Sequence, residues 1–531
     1  MKKAKRLLSV LLAAAMTVAM FILPTFAADT TTYKVTVDNA TADHTYEAYQ
    51  VFAGDLSTSG VLSNVTWGTG VKGDELLTAL KSDTTVGSKF TNAKSAADVA
   101  AAMSGITNDS AEAKAFAQVV GKNLSSTVAG TSTYADSKYT ISGLTAGYYL
   151  VKDKDTTQTG KDDAYTSFIL QVVKNVEVQP KSSVPSVEKK VKENVKYTTD
   201  GGYGAGYNDV ADYNIGDAVP FELIGTLPTN YDSYTTYNYV FHDTASAGLT
   251  IDSDSVKVYV DNTEITTGFT KSVTGQDLTV TFDDLKKITA VKSTSKITVK
   301  YNATLNKNAV IGLDGNPNEV YLTYSNNPNQ GGDGNKGKTP TDKVIVFTYE
   351  LDTTKVDGAT QKKLPDASFT LYKIVGESKN YALVTDGKVT GWTTEAAKAT
   401  SLTSGSDGMF KVAGLDDGTY YLNETKAPEG YNKLTSDVKL VITATTANGQ
   451  NWTDGNASSA LTALKISVNE AAATDGNVGT GVVSATIANN SGSTLPTTGG
   501  MGTTIFYVLG GCLMAVAAIL LITKKRMANK G

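Results

Sequence analysis

"TYYLNETKAPEGYNKL" (residues 419–434) sets Tyr420, Leu422 and Glu424 at alternate positions, then breaks at Pro428 and Gly430. Alternation with a period of two marks a β-strand with one buried face, and Pro and Gly mark the turn that ends it. The strand therefore carries a carboxyl group in an apolar row. The same signature recurs around it in "KVIVFTYELDTTKVDG" (343–358), "ASFTLYKI" (367–374), "FKVAGL" (410–415), "DVKLVITA" (437–444) and "VVSATIANN" (482–490). Upstream lies a second string of "AVPFELIGTL" (218–227), "NYVFHDT" (238–244), "SVKVYV" (255–260), "DLTVTF" (277–282), "KITVKYNATL" (296–305) and "EVYLTYS" (319–325). Short strands at regular spacing with turn residues between them predict β-sandwiches.

A first segment opens with "YKVTV" (33–37) and "TYEAYQVF" (45–52) and closes with "KYTISGL" (138–144), "GYYLVKD" (147–153) and "SFILQVVKNVEVQ" (167–179). Between them "DELLTALKSD" (74–83) and the alanine-rich 95–124 have helical spacing and predict a helical insertion. The 531 residues exceed one ordinary core, and the excess of Tyr (27) over Phe (14) favours strands. The predicted fold is mainly β, with tandem immunoglobulin-like sandwiches. Its expected boundaries are a signal peptide (1–27), an N-terminal domain (28–182), two sandwiches (183–336 and 337–494) and a C-terminal signal (495–531).

The two ends are the most legible parts. Residues 1–27 combine Lys2, Lys3, Lys5 and Arg6 with an apolar run and small residues at Thr25 and Ala27, the pattern of a cleaved secretory signal. Residues 505–522 are apolar over a membrane-spanning length, and Lys524, Lys525, Arg526 and Lys530 hold the end inside. Each end carries four positive charges and no acid, so removing these eight takes the net charge from −5 to −13. An acidic ectodomain without arginine argues against nucleic acid as a partner. The only cysteine, Cys512, lies in the apolar run, so no disulfide is available. With two histidines, His44 and His242, no metal site is expected, and nothing in the sequence requires a cofactor. No Gly-rich phosphate loop, Ser/His/Asp order or His-Glu motif is present, so the chain does not read as an enzyme.

"LPTTGG" (495–500) precedes the apolar run and the basic tail, and this order resembles the cell-wall sorting signal of Gram-positive surface proteins. The resemblance covers Leu495, Pro496, Thr497, Thr498 and Gly499. It implies that a sortase cysteine cuts between Thr498 and Gly499 and holds Thr498 as a thioacyl enzyme until an amine accepts it. "VEVQPKS" (176–182) resembles the pilin motif of sortase-assembled pilins, with Lys181 as the accepting nucleophile, although Gln179 and Ser182 depart from the motif's tyrosine and asparagine.

Two further lysines fit a second role. "PSVEKKV" (185–191), "FHDT" (241–244) and "NEVYLTYS" (318–325) resemble the Cna-A type of pilin domain, in which a first-strand lysine joins a last-strand asparagine through an isopeptide bond beside an aspartate. Carried over, these are Lys189, Asn318 and Asp243. Alternation points Lys189 inward with Val187 and Val191, and Lys190 to solvent. The third domain resembles the Cna-B type: "FTYELDTTKVDG" (347–358) supplies Lys355, the opening stretch supplies Glu424, and "ATIANN" (485–490) supplies Asn489, with Asn490 second. The first domain shows no such triad, because "GYYLVKD" lacks the glutamate.

Burial disfavours charge, so a buried lysine is expected to become a nucleophilic amine and a buried acid a neutral carboxyl. That carboxyl is expected to bond the carboxamide and to move the proton that leaves with ammonia. A link between distant strands closes a loop of over a hundred residues, for which the disulfide model gives roughly 4 to 5 kcal/mol.

The resemblance implies the shaft subunit of a covalent pilus. Its implied partners are a pilus-type (class C) sortase, copies of the chain head to tail, minor or tip pilins, and cell-wall peptidoglycan. The alternative is a monomeric wall-anchored adhesin binding a host or matrix ligand. These differ in whether the accepting amine is a lysine of another copy or a cell-wall peptide.

Overall fold

The computed structural model describes residues 31–107, 110–180, 182–194, 207–446, 452, 455–492 and 501–528. The expected signal peptide, Lys181 and the LPTTG motif lie outside the described residues. Three β-rich domains follow one another along the chain.

The first pairs two sheets. One runs Thr133–Ala135, Lys138–Leu144, Tyr33–Val37, Val176–Val178; the other runs Leu62–Trp67, Tyr46–Leu56, Gly147–Asp153, Ser167–Val172. Gly147–Asp153 is buried along its whole length because both faces are covered. Tyr149 and Val151 face the opposing sheet, while Tyr148 and Leu150 meet the helices Gly73–Ser82, Ala96–Met103 and Ala111–Lys122. The predicted helical insertion thus supplies a second core on the outer face. Ser95 and Ser110 cap two of its helices, Ser95 in a reciprocal pair with Asp98.

The segment 158–167 of this domain docks on the second one. Tyr165 N donates to Asn326 O (2.8 Å), and Asn326 Nδ2 donates to Gln158 O (2.8 Å). His44 fastens the same segment, with Nδ1 2.7 Å from Asp153 and Nε2 3.0 Å from Asp163. Burial opposes charge on this imidazole, but the two aspartates outweigh it and raise its pKa from 6.5 to about 9. A raised histidine stabilises the fold fully below about pH 6.5 and ceases to do so as pH rises through about 9. The contribution at stake is about 3 kcal/mol. His44→Gln should flatten the stability profile of the first domain between pH 6.5 and 10, as read by chemical denaturation at a series of pH values.

The second domain is a sandwich of two seven-stranded sheets. One contains Val187–Lys192, Ala218–Gly225 and Ile297–Leu305 side by side. The other contains Val210–Asp212, Asp342–Phe347, Asn316–Ser325, Tyr239–Ala245 and Asp277–Phe282 in that order. Asp342–Phe347 corrects the expected boundary at 336. It pairs with Asn316–Ser325 and Val210–Asp212, so the second domain runs through Phe347 and the third starts at Tyr349. The Gly- and Asn-rich 326–335 is an excursion within the second domain, because Lys336–Lys338 also returns to Asn316–Ser325. An all-apolar "VIVF" completes either neighbour equally well, and composition alone could not assign it.

In the third domain, Tyr349–Asp357 lies between Met409–Leu415, antiparallel, and Val482–Asn489, parallel. Its buried apolar residues continue those of the second domain in one cluster. At this joint Gly312 has φ 81°, and a Cβ there would fall 2.5 Å from Gly481 N, so only glycine permits the approach.

Candidate functional site

In the second domain four side chains from two facing sheets converge in the core. Lys189 on Val187–Lys192 and Tyr301 on Ile297–Leu305 come from one sheet; Asp243 on Tyr239–Ala245 and Asn318 on Asn316–Ser325 come from the other. Lys189 and Asn318 are fully buried, and Asp243 is 1% exposed. Lys189 Nζ contacts the Asp243 carboxyl and lies 3.0 Å from Tyr301 Oη. Tyr301 Oη is 2.7 Å from Asp243 Oδ1 and 2.8 Å from Asn318 Nδ2. Burial pushes Lys189 below the ordinary lysine range against the pull of Asp243. Burial likewise lifts Asp243 above the carboxylate range against Lys189. Moving one proton from amine to acid removes both charges from a medium that solvates neither.

Tyr301 was not foreseen from the sequence, although its signal is present. Ile297, Val299, Tyr301, Ala303 and Leu305 alternate inward, so a phenol stands in an apolar row and must find a polar partner there. Two other expectations are corrected. Lys190 does not point to solvent: it is 5% exposed and pairs with buried Asp209 at 2.5 Å. The chain comes back through Tyr207–Asn208 and Val210–Asp212 beside this strand, so both of its faces are covered and alternation no longer separates inside from outside. Asn318 lies on the penultimate long strand, because Asp342–Phe347 follows it in the same sheet.

In the third domain Lys355 is fully buried on Tyr349–Asp357, opposite Ile487, and Nζ donates to Ile487 O (3.1 Å). Asn489 follows Val483, Ala485 and Ile487 on the inward face and is 1% exposed, whereas Asn490 is exposed. Asn489 Nδ2 donates to Glu424 Oε1 (2.9 Å), Glu424 Oε2 (3.2 Å) and Asn432 O (3.0 Å). The turn after Glu424 folds back over the acid, and Leu434 N donates to Oε2 at 2.7 Å. Asn489 Oδ1 is buried without a hydrogen bond. The acid therefore faces the amide nitrogen, the atom that an attacking amine would displace. Burial lowers the Lys355 pKa from 10.5 to about 8, with Glu424 opposing.

In the first domain His44, Asp153 and Asp163 form a buried cluster of a different kind, an imidazole between two carboxylates. Among the described residues, Asp212, Asp416 and Asp417 have carboxylate oxygens within 4.8 Å of one another, spacing that could suit a cation. They sit at the joint of the second and third domains, where Asn194 Nδ2 donates to Asp416 (2.9 Å). The C-terminal helix Met501–Ala528 contains Ile505–Met527, long and apolar enough to cross a membrane.

Residues 215–328 match the Gram-positive pilin backbone subunit 2, Cna-B-like domain, and residues 349–456 match the SpaA prealbumin-like fold domain. The description of the first match is Cna-B-like, not the Cna-A type that its lysine, aspartate and asparagine resemble. The trypsin-resistant surface T6 protein of Streptococcus pyogenes serotype M6 is 28% identical over 418 residues, 66% of this chain and 70% of that protein. The solved T6 backbone pilin of the same serotype superposes with a TM-score of 0.54 at 17% identity, over 88% of this chain and all of the other. The full-length major pilin SpaD of Corynebacterium diphtheriae gives 0.47 at 18% identity, over 87% of this chain and 98% of that one. Pilin-backbone domains are thus matched in the second and third units, on a fold shared with a solved backbone pilin.

Proposed function

We propose that the protein is the shaft subunit of a surface pilus, polymerised by a sortase that joins Thr498 of one copy to Lys181 of the next. Its second and third domains would be locked by self-formed Lys189–Asn318 and Lys355–Asn489 isopeptide bonds. The observation that carries this reading is the repeated burial of lysine, acid and asparagine in two successive domains. The pilin-backbone matches of the same two domains support a structural role over an enzymatic one.

In each domain the neutral lysine amine adds to the asparagine Cγ, and ammonia leaves with a proton supplied through the acid. The fold holds the partners in place, so proximity replaces collision. Each domain reacts once. Because Lys355 must lose its proton, cross-linking of the third domain should slow about tenfold per pH unit below about 8 and level off above it. Intact mass of chain recovered unlinked from inclusion bodies and refolded at pH 6 to 9 reads this directly as the rate of ammonia loss.

Assembly is tested by expressing the chain with a pilus-type sortase in a Gram-positive host. A shaft subunit gives a ladder of SDS-resistant multimers. A single wall-linked monomer band would favour the adhesin alternative and overturn the proposal. The preceding strand Val176–Val178 lies at a sheet edge, parallel to Tyr33–Val37, which suits delivery of a nucleophile to an enzyme.

A further inference from the structure

The two clusters differ in one respect. In the third domain the acid touches the amide nitrogen itself, at 2.9 and 3.2 Å. In the second domain the Asn318 nitrogen is bonded to Tyr301, and Tyr301 is bonded to the acid. Aspartate is one methylene shorter than glutamate, and the tyrosine hydroxyl occupies the gap. Tyr301 is 2% exposed, and its Oη is within hydrogen-bond distance of three reacting groups: Lys189 Nζ, Asp243 Oδ1 and Asn318 Nδ2.

We propose that Tyr301 is a catalytic residue of the second domain, relaying the proton from Asp243 to the departing nitrogen of Asn318. This rests on the cross-linking reading given above. Lys189 Nζ adds to Asn318 Cγ, which turns Nδ2 from a weakly basic amide into a basic amine. The new bond leaves a surplus proton on Nζ, which passes to Asp243 Oδ2, the oxygen that Nζ contacts. Asp243 gives a proton from Oδ1 to Tyr301 Oη, and Tyr301 gives its hydroxyl proton to Nδ2. The Cγ–Nδ2 bond then breaks. Ammonia leaves with its two amide hydrogens and the relayed one, and both Asp243 and Tyr301 end in the state in which they began.

Positioned proton transfer contributes typically 10² to 10⁴ in rate, so losing the relay should be plain in the kinetics. The full ectodomain is recovered unlinked from inclusion bodies in guanidinium, refolded by dilution and sampled by intact mass and peptide mapping. The expected result is that Tyr301→Phe forms the Lys189–Asn318 link at least tenfold more slowly than wild type. Its Lys355–Asn489 link should form at the wild-type rate in the same molecules, since no tyrosine intervenes there. Wild-type speed for both links in Tyr301→Phe overturns the relay and leaves cross-linking intact. Absence of the Lys189–Asn318 link from the wild type overturns both. If near-UV circular dichroism shows that phenylalanine disturbs the second domain, 3-fluorotyrosine at 301 keeps the shape and acidifies the hydroxyl. A changed linking rate then supports the relay, and an unchanged one overturns it.

Discussion

Glu424→Ala should leave the third domain without its Lys355–Asn489 bond and make it the least stable part of the molecule. Glu424 is 2% exposed and is the group through which the Asn489 nitrogen can receive a proton; without it the amide keeps only the Asn432 carbonyl. The bond would close a loop of more than a hundred residues, whose cross-link is worth about 5 kcal/mol by restriction of the unfolded chain. For a domain of this size that corresponds to a fall in Tm of about 15 °C. Lost hydrogen bonds to Asn489 and Leu434 add to it. Calorimetry of the wild type, Glu424→Ala and Asn489→Ala should show equal large losses for the two variants. A wild-type Tm in Glu424→Ala would mean that no bond depended on the acid. The loss should be confined to one transition, since Lys189 and Asn318 lie in the other sandwich.

Lys181→Ala should convert the multimer ladder into a monomer that is still exported and folded. Forty-six lysines are spread along the chain. Most of those in the three domains stand in strands or ion pairs, and Lys189 and Lys355 are fully buried. A sortase-bound Thr498 needs an amine outside the folded cores, and Lys181 stands in the Pro- and Ser-rich 180–186 stretch of the sequence. The effect is all or none: removal of the single acceptor ends chain growth at the first subunit. A ladder of unchanged length in Lys181→Ala, read on denaturing gels of wall extracts, would place the acceptor elsewhere.

Much of this was legible because the sandwiches obey simple alternation. Val483, Ala485, Ile487 and Asn489 are buried and the residues between them are not, so one rule identified both the strand and its amide. Alternation also set Lys189 on the inward row of its strand, whereas Lys355 was marked by the resemblance of its stretch to the Cna-B type. The rule failed where both faces are covered. Lys190 is the example: the returning segment brings Asp209 over it, a contact set by chain path and not by period. Tyr301 was hidden differently, because a tyrosine in an apolar strand reads as ordinary core until its hydroxyl is seen among Lys189, Asp243 and Asn318. The boundary at Phe347 was illegible because the unbroken apolar run Val344–Phe347 carries no mark of the sheet it will join.

The central claim is that two buried lysines, each beside an acid and an asparagine, become amides without help. Intact mass of the folded ectodomain, followed by peptide mapping, tests it most directly. The account predicts a mass lower than the sequence mass by two molecules of ammonia, with Lys189 joined to Asn318 and Lys355 joined to Asn489. The full sequence mass, with all four residues recovered in unlinked peptides, would contradict it.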